Sequence, residues 1–195
     1  MKDAAKRKQR KSSSWLNDVV ITNIKSLTHT QVPEIAVRGS TFKTRKKVLI
    51  AAVWMLYDQL GNRVAPNITL EIDLIESLIR DEAVYGDCFS ADSMRYNRPR
   101  CFQIRLDAGL KLPVLLETLA HEIVHLRQYA KDQLYEYRNG DSRYAGKRYP
   151  KNSEDLPWED EAHALEQHIY HRYTSQLKIG RRGDGKWQLS LMEIY

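Results

Sequence analysis

Two histidines and a glutamate with the spacing of a metal site stand in the middle of the chain, in the run His121-Glu122-Ile123-Val124-His125. Because each residue of an α-helix advances about 100° around the axis, His121 and His125 would lie one turn apart and share one metal ion. Glu122 would then reach a water on that metal and act as a general base. Catalytic zinc sites use three protein ligands and one water, so the run predicts a zinc centre that still lacks one ligand.

The sequence around this run favours a helix that begins near Leu112 and, since the apolar pattern weakens after Ala130, ends near Asp132. Pro113 suits the first turn, because its missing N–H would have no helical partner there. Apolar residues recur at steps of three and four and predict the buried face of this helix: Leu116, Leu119, Ile123 and Leu126. The two histidines are therefore expected on a helix rather than on a loop.

A second helix with an acidic first turn is predicted to begin at Pro157, and it is the expected source of the third ligand. Its apolar stripe consists of Trp158, Ala162, Leu165 and Ile169. Relative to that stripe, Glu159 lies about 90° to one side and Glu161 about 70° to the other. Periodicity alone leaves both carboxylates open as the ligand.

The two segments together resemble the gluzincin type of zinc metallopeptidase, in which a second helix supplies a glutamate, here in the sequence Glu159-Asp160-Glu161-Ala162. Their short spacing is similar to that of small SprT-like and phage-type metallopeptidases, and the resemblance covers roughly residues 43–173. It implies Zn²⁺ as the cofactor, Glu122 as the catalytic base, and His121, His125 and Glu159 as the metal ligands, with Glu161 in reserve.

One position departs from the gluzincin pattern. Many gluzincins have an acid four residues after the ligand glutamate, where this chain has His163. The resemblance therefore does not identify the residue that would support the metal ligands by a hydrogen bond. His163 is also a further candidate for the third ligand, as in the all-histidine site of strict SprT-type proteases, although the residues around it do not match their motif.

The segment before the motif helix predicts a small sheet. Alternating or β-compatible residues predict three strands, at Ile68–Leu74, Tyr85–Ser90 and Cys101–Leu106. A helix is expected at Thr44–Leu60, with a shorter one at Trp15–Leu27 and an extended piece at Ile35–Val37. We therefore expect an α+β, zincin-like domain with helices packed on a mostly antiparallel three-stranded sheet. If the last strand is an edge, its backbone could pair with an extended peptide substrate.

The length of 195 residues and the composition predict a single domain. Residues 1–11 carry six basic residues and one acid, which accounts for +5 of the net charge of +6. We expect a basic disordered tail at 1–14, a metallopeptidase domain at 15–175 and a C-terminal extension at 176–195. No apolar run approaches the roughly 20 residues of a membrane span, and no signal core is visible, so the expected location is the cytoplasm, or the host cytoplasm if the protein is phage-encoded.

These features support two classes of function. The first is a zinc endopeptidase acting on protein or peptide substrates; its oxyanion donor is open among Tyr129, His168, His171 and Tyr173. The second is a nucleic-acid-associated protein that keeps a zincin-like scaffold and binds through the basic tail and through the Tyr- and Arg-rich segment at 132–156. A protease recruited to DNA-bound proteins would combine the two.

Overall fold

A computed structural model describes residues 32–92, 98–181 and 187–191 of this chain. The basic tail expected at 1–14 and the helix expected at Trp15–Leu27 lie outside the described residues, as do 182–186 and 192–195 of the C-terminal extension. The fold class is α+β, with helices packed on a mixed sheet and a second, small antiparallel sheet. Among the described helices, none is both long and apolar enough to cross a membrane.

The main sheet has four described strands in the order β1-β2-β4-β3. Their bounds are β1 Glu34–Arg38, β2 Thr69–Ile75, β3 Gly86–Ser90 and β4 Cys101–Asp107. β1 pairs with β2 and β2 with β4 in parallel, whereas β3 pairs with β4 antiparallel. One face is apolar and buried, and its residues in β2 and β4 are Leu70, Ile72, Leu74, Phe102, Ile104 and Leu106.

The expectation of a mostly antiparallel, three-stranded sheet is therefore wrong both in the number of strands and in their relative direction. The extended piece predicted at Ile35–Val37 is a fourth strand, and a helix connects it to β2, which is the connection that parallel neighbours require. The last strand before the motif helix is also not an edge, because β2 and β3 lie on its two sides. Among the described strands, β1 and β3 form the edges.

Four helices cover or flank the buried face of the sheet: α1 Phe42–Leu60, α2 Leu78–Glu82, α3 Leu112–Ala130 and α4 Pro157–Gln176. α1 begins after Thr41, whose side chain accepts a hydrogen bond from the Thr44 amide at 3.2 Å. It buries an apolar face whose residues recur at helical steps: Val48, Ala51, Ala52, Met55, Leu56 and Leu60. α3 begins where the sequence predicts and ends at Ala130, two residues before the predicted end near Asp132. It packs against α1, α4, β3 and β4, and is therefore central to the core.

The segment between α3 and α4 contains a small antiparallel sheet that was not predicted. Its strands are β5 Leu134–Glu136, β6 Ser142–Tyr144 and β7 Lys147–Tyr149. Trp158, at the start of α4, packs against Tyr144 and Tyr149 with ring centroids 6.2 and 5.5 Å apart. The small sheet thereby fixes the first turns of α4. After α4, strands β8 Leu177–Arg181 and β9 Trp187–Leu191 pair antiparallel.

Glycine allows β3 to lie directly against α3. A Cβ atom on Gly86 would stand 2.9 Å from the Thr118 methyl group of α3 and 2.9 Å from a Leu106 methyl group of β4. Any side chain at this position would push the edge strand away from the helix. The absence of one brings the rest of β3 beside the middle of α3, where the histidines lie.

The turn after β1 predicts a sharp cost for one small substitution. Gly39 has a φ of +76°, and a Cβ atom there would stand 2.1 Å from the Leu74 carbonyl oxygen of β2. Gly39→Ala should lower the free energy of unfolding by more than about 3 kcal/mol, because backbone strain and a backbone clash add. Denaturant unfolding measured by circular dichroism would give this value.

Gly146 provides the matched control for this substitution. Its φ is +86°, and no heavy atom lies within 4 Å of its ideal Cβ position. Gly146→Ala should therefore show only the cost of the left-handed backbone, about 1–2 kcal/mol. Equal losses in the two variants would contradict the close approach of the turn to β2.

Candidate metal centre

Three side chains from two helices meet between α3 and α4. The Nε2 atoms of His121 and His125 are 3.0 Å apart, and Glu159 Oε2 lies 3.3 Å from each. His121 and His125 come from consecutive turns of α3, and Glu159 from the first turn of α4. The structure thus brings together the three residues that the sequence resemblance named as metal ligands.

The outer nitrogen of each imidazole has its own acceptor. His121 Nδ1 donates to Glu166 Oε2 at 2.8 Å, since an ionised carboxylate can only accept. His125 Nδ1 lies 2.9 Å from Gln128 Oε1. Carboxylate and amide acceptors of this kind fix the tautomer and the ring orientation of metal-binding histidines.

The orientation of the Gln128 amide is set by two further bonds. Its Nε2 donates to the Trp158 carbonyl at 2.9 Å and to Glu161 Oε2 at 2.8 Å, so its Oε1 must face His125. Gln128 is completely buried, which leaves water no access to these groups. When neutral, both histidines would therefore carry their proton on Nδ1 and present an unprotonated Nε2 to Glu159.

This donor set fits a transition-metal ion. Three acceptor atoms face one another with no donor hydrogen between them when the imidazoles are neutral, which is unfavourable unless a cation lies among them. Their separations of 3.0, 3.3 and 3.3 Å are close to the roughly 3.3 Å edge of a tetrahedron with bonds of about 2.0–2.1 Å. Two imidazole nitrogens and one carboxylate oxygen are ligands that divalent metals accept.

The charges around this point also favour a cation. Burial alone would lower the pKa of His121 and of His125, but nearby carboxylates, Glu159 first, outweigh it, and both pKa values are raised. Burial alone would raise the pKa of Glu159, but the two imidazoles hold it well below its ordinary value. Within the described part of the chain, no Lys or Arg pairs with Glu159 or Glu166.

Glu122 lies on the side of α3 that faces β3. Only 4% of the residue is exposed, and burial raises its pKa to about 8, with Asp87, Glu159 and Glu166 adding to the effect. Cys88 of β3 lies in the same buried surroundings. Burial, and then the charge of Glu122, raise the pKa of its thiol well above the usual value. A buried carboxyl with a pKa near neutrality can both accept and return a proton.

The two alternatives for the third ligand are placed differently. Glu161 Oε2 accepts hydrogen bonds from Gln128 and from Tyr144, both at 2.8 Å, and it pairs with Arg127. Glu161 thus holds Gln128 in place behind His125 and does not face the point where His121 Nε2, His125 Nε2 and Glu159 Oε2 converge. His163 is on the other side of His121, with ring centroids 4.7 Å apart, and its side chain is 67% exposed.

Sequence reasoning missed Glu166 and Gln128. Glu166 stands seven residues after Glu159, two helical turns on, and accepts the hydrogen bond of His121 Nδ1. Gln128 is three residues after His125 and seven after His121, so it lies on the same face of the helix as both histidines. This spacing was the available signal in the sequence.

None of the four candidate donors to an oxyanion is directed at the point where the two Nε2 atoms and the Glu159 carboxylate converge. Tyr129 donates its hydroxyl hydrogen to Glu136 at 2.7 Å, and burial raises its pKa further. Tyr173 packs on Trp54 in the core, with ring centroids 5.7 Å apart. His168 and His171 are exposed on α4, at least about 13 Å along the helix from Glu159.

Neither a protein-family model, nor a curated protein, nor a solved structure matches this chain.

The three converging atoms predict metal binding that depends on each of them. The full chain, dialysed against equimolar zinc and then against buffer, should retain about one equivalent, and His125→Ala should retain none, since two of three ligands leave only a weak site. Atomic absorption measures this directly. His168→Ala removes an exposed histidine of α4 and serves as the control; equal zinc contents in the two variants would refute the assignment.

The buried amide of Gln128 predicts a stability effect. Gln128→Ala should lower the free energy of unfolding by about 1–3 kcal/mol, because it leaves the Trp158 carbonyl and His125 Nδ1 without partners in a dry interior. Urea unfolding of the metal-free protein separates this effect from metal binding. Gln167→Ala, at an exposed position of α4, should change stability by less than about 0.5 kcal/mol. An equally small loss of stability in both variants would show that the hydrogen bonds of Gln128 do not stabilise the fold.

Proposed function

We propose that this chain is a zinc-dependent peptidase that cleaves bonds within proteins or peptides, built on a small zincin-like domain. The observation that carries the proposal is the convergence of His121 Nε2, His125 Nε2 and Glu159 Oε2 beside the buried carboxyl of Glu122. Three protein ligands leave one position of a tetrahedral ion for water, which is the arrangement of catalytic rather than structural zinc sites.

In the proposed mechanism each residue of the centre has a separate role. Zinc, when bound, lowers the pKa of a coordinated water and polarises the carbonyl of the scissile bond. Glu122 would act as the general base and acid: its carboxylate would accept a proton from the attacking water and return it to the departing amine nitrogen. Glu166 and Gln128 hold the two imidazoles in the tautomer that keeps Nε2 free to bind metal.

The edge of the main sheet supports a polypeptide as the substrate. β3 is an edge strand among the described strands, and Gly86 lets it lie against α3 close to Glu122. An extended peptide could pair with its free backbone groups and run past the metal centre. Recognition of this kind reads the backbone, so we expect broad sequence tolerance.

The described residues give the nucleic-acid alternative no specific support. In the segment between α3 and α4, Arg143 pairs with Asp132 at 2.6 Å and Arg148 with Asp141 at 2.7 Å, so these cations are already compensated. That hypothesis, and recruitment to DNA-bound proteins, depends on residues 1–11, which lie outside the described part. The cytoplasm, or a host cytoplasm, stays the expected location from sequence.

Replacing the proposed base separates catalysis from metal binding. Glu122→Gln should lower the rate of casein cleavage by about 10²–10⁴-fold while retaining one equivalent of zinc, because an amide of the same shape cannot accept the proton. Cleavage of fluorescent casein and zinc content are measured on the same samples.

Glu117→Gln removes a carboxyl from the same helix outside the centre and provides the control; its rate should equal that of the unchanged protein. Undiminished cleavage by Glu122→Gln, or by the metal-free His125→Ala protein, would exclude the proposed mechanism.

A further inference from the structure

The far side of His121 contains a second group of possible metal ligands. Glu166 Oε2 lies 2.8 Å from His121 Nδ1 and 3.4 Å from His163 Nδ1. All three atoms fall within 4.8 Å of one another. His163 and Glu166 are three residues apart on α4, so their side chains share one face of the helix.

The contacts of His163 and Glu166 leave both side chains able to bind a cation. The contact of His163 with Glu166 is an ion-pair distance, and no hydrogen bond of the His163 ring is present among the described residues. The Glu166 side chain is only 21% exposed, yet it faces imidazoles alone and no Lys or Arg of the described residues. A half-buried carboxylate without a cationic partner attracts a cation.

The geometry also suits coordination. The separation of 3.4 Å between His163 Nδ1 and Glu166 Oε2 matches the ligand-to-ligand distance of a tetrahedral zinc site. The 67% exposure of the His163 side chain allows water to complete the coordination. Two protein ligands with several waters make a weaker site than the three ligands on the other side of His121.

We propose that His163 and Glu166 form a second divalent-metal site, filled by Zn²⁺ at higher concentrations than the first site and coupled to it unfavourably. The coupling arises because one oxygen, Glu166 Oε2, serves both sites. A cation on that oxygen weakens it as the acceptor for His121 Nδ1, and the two ions repel each other. By linkage, an ion in the first site equally weakens binding at the second.

The coupling requires a metal ion on His121, His125 and Glu159, but the second site does not. In the metal-free protein His163 and Glu166 remain in place, and no metal ion in the first site repels the incoming ion. The second site therefore goes beyond the proposed peptidase activity, and the two can fail separately.

Equilibrium dialysis of the full chain against buffered free Zn²⁺, with bound zinc measured by atomic absorption, tests the second site. The unchanged protein should bind one equivalent tightly and another at higher free zinc. His163→Ala should lose only the second equivalent, and His125→Ala only the first. The double variant His168→Ala/His171→Ala removes the two exposed histidines of α4 outside the group and should bind both.

Release of the first ion tests the coupling. Transfer of tightly bound zinc to a chromophoric chelator should be about tenfold faster from protein preloaded at high zinc than from protein loaded with one equivalent. His163→Ala should remove this difference, and Glu166→Gln should release the first ion fast under both conditions. Circular dichroism of each variant confirms that the fold is retained.

Several results would overturn the proposal. These are a second equivalent that persists in His163→Ala, its loss in the His168→Ala/His171→Ala control, saturation at one equivalent up to the solubility limit of zinc, or a release rate independent of loading. A His125→Ala protein that still binds both ions would instead refute the first site and leave the second standing.

Discussion

Three acceptor atoms held within 3.3 Å of each other are the constraint on which the centre of this protein depends. Neutral imidazoles and a carboxylate repel one another at that distance, and in a half-buried position solvent screens the repulsion poorly. Only a cation, either a metal ion or a proton, makes the arrangement favourable. The fold supplies the rigidity that keeps the atoms there: α3 presents both histidines, α4 presents the carboxylate, and the two helices pack directly against each other.

The supporting interactions explain why the atoms cannot move apart easily. Gln128 joins His125 to the first turns of α4, and Glu161 extends that connection to Arg127 and to Tyr144 of the small sheet. Glu166 makes the equivalent connection for His121. Each imidazole is therefore held at its outer nitrogen by an acceptor. Glu122, by contrast, faces β3 and has no hydrogen bond from any described residue, which leaves its carboxyl free to exchange a proton.

Much of this centre could be predicted from sequence, because helical periodicity determines where His121 and His125 point. The existence of α3 and the apolar face that α1 buries follow from the same rule. The choice of Glu159 over Glu161 could not follow from it, since both flank the apolar stripe. It depends on how far α4 is rotated against α3, and tertiary contacts of Trp158 and Gln128 fix that rotation.

The sheet illustrates a different limit. Alternation identifies a strand and its buried face, as it does for β2, but it does not say which strands are neighbours or in which direction they run. The parallel pairing of β1 with β2 follows from the connection through α1, which becomes informative only when Glu34–Arg38 is recognised as a strand. The small sheet at β5–β7 was missed because three-residue strands are too short to show a period.

The location of a bound metal tests the central claim most directly. Crystals of the full chain grown with one equivalent of zinc, measured on both sides of the zinc absorption edge, should give one anomalous peak about 2.0–2.1 Å from His121 Nε2, His125 Nε2 and a Glu159 oxygen. A peak bound elsewhere, or no peak with the two imidazoles and Glu159 joined only by hydrogen bonds, would contradict this account.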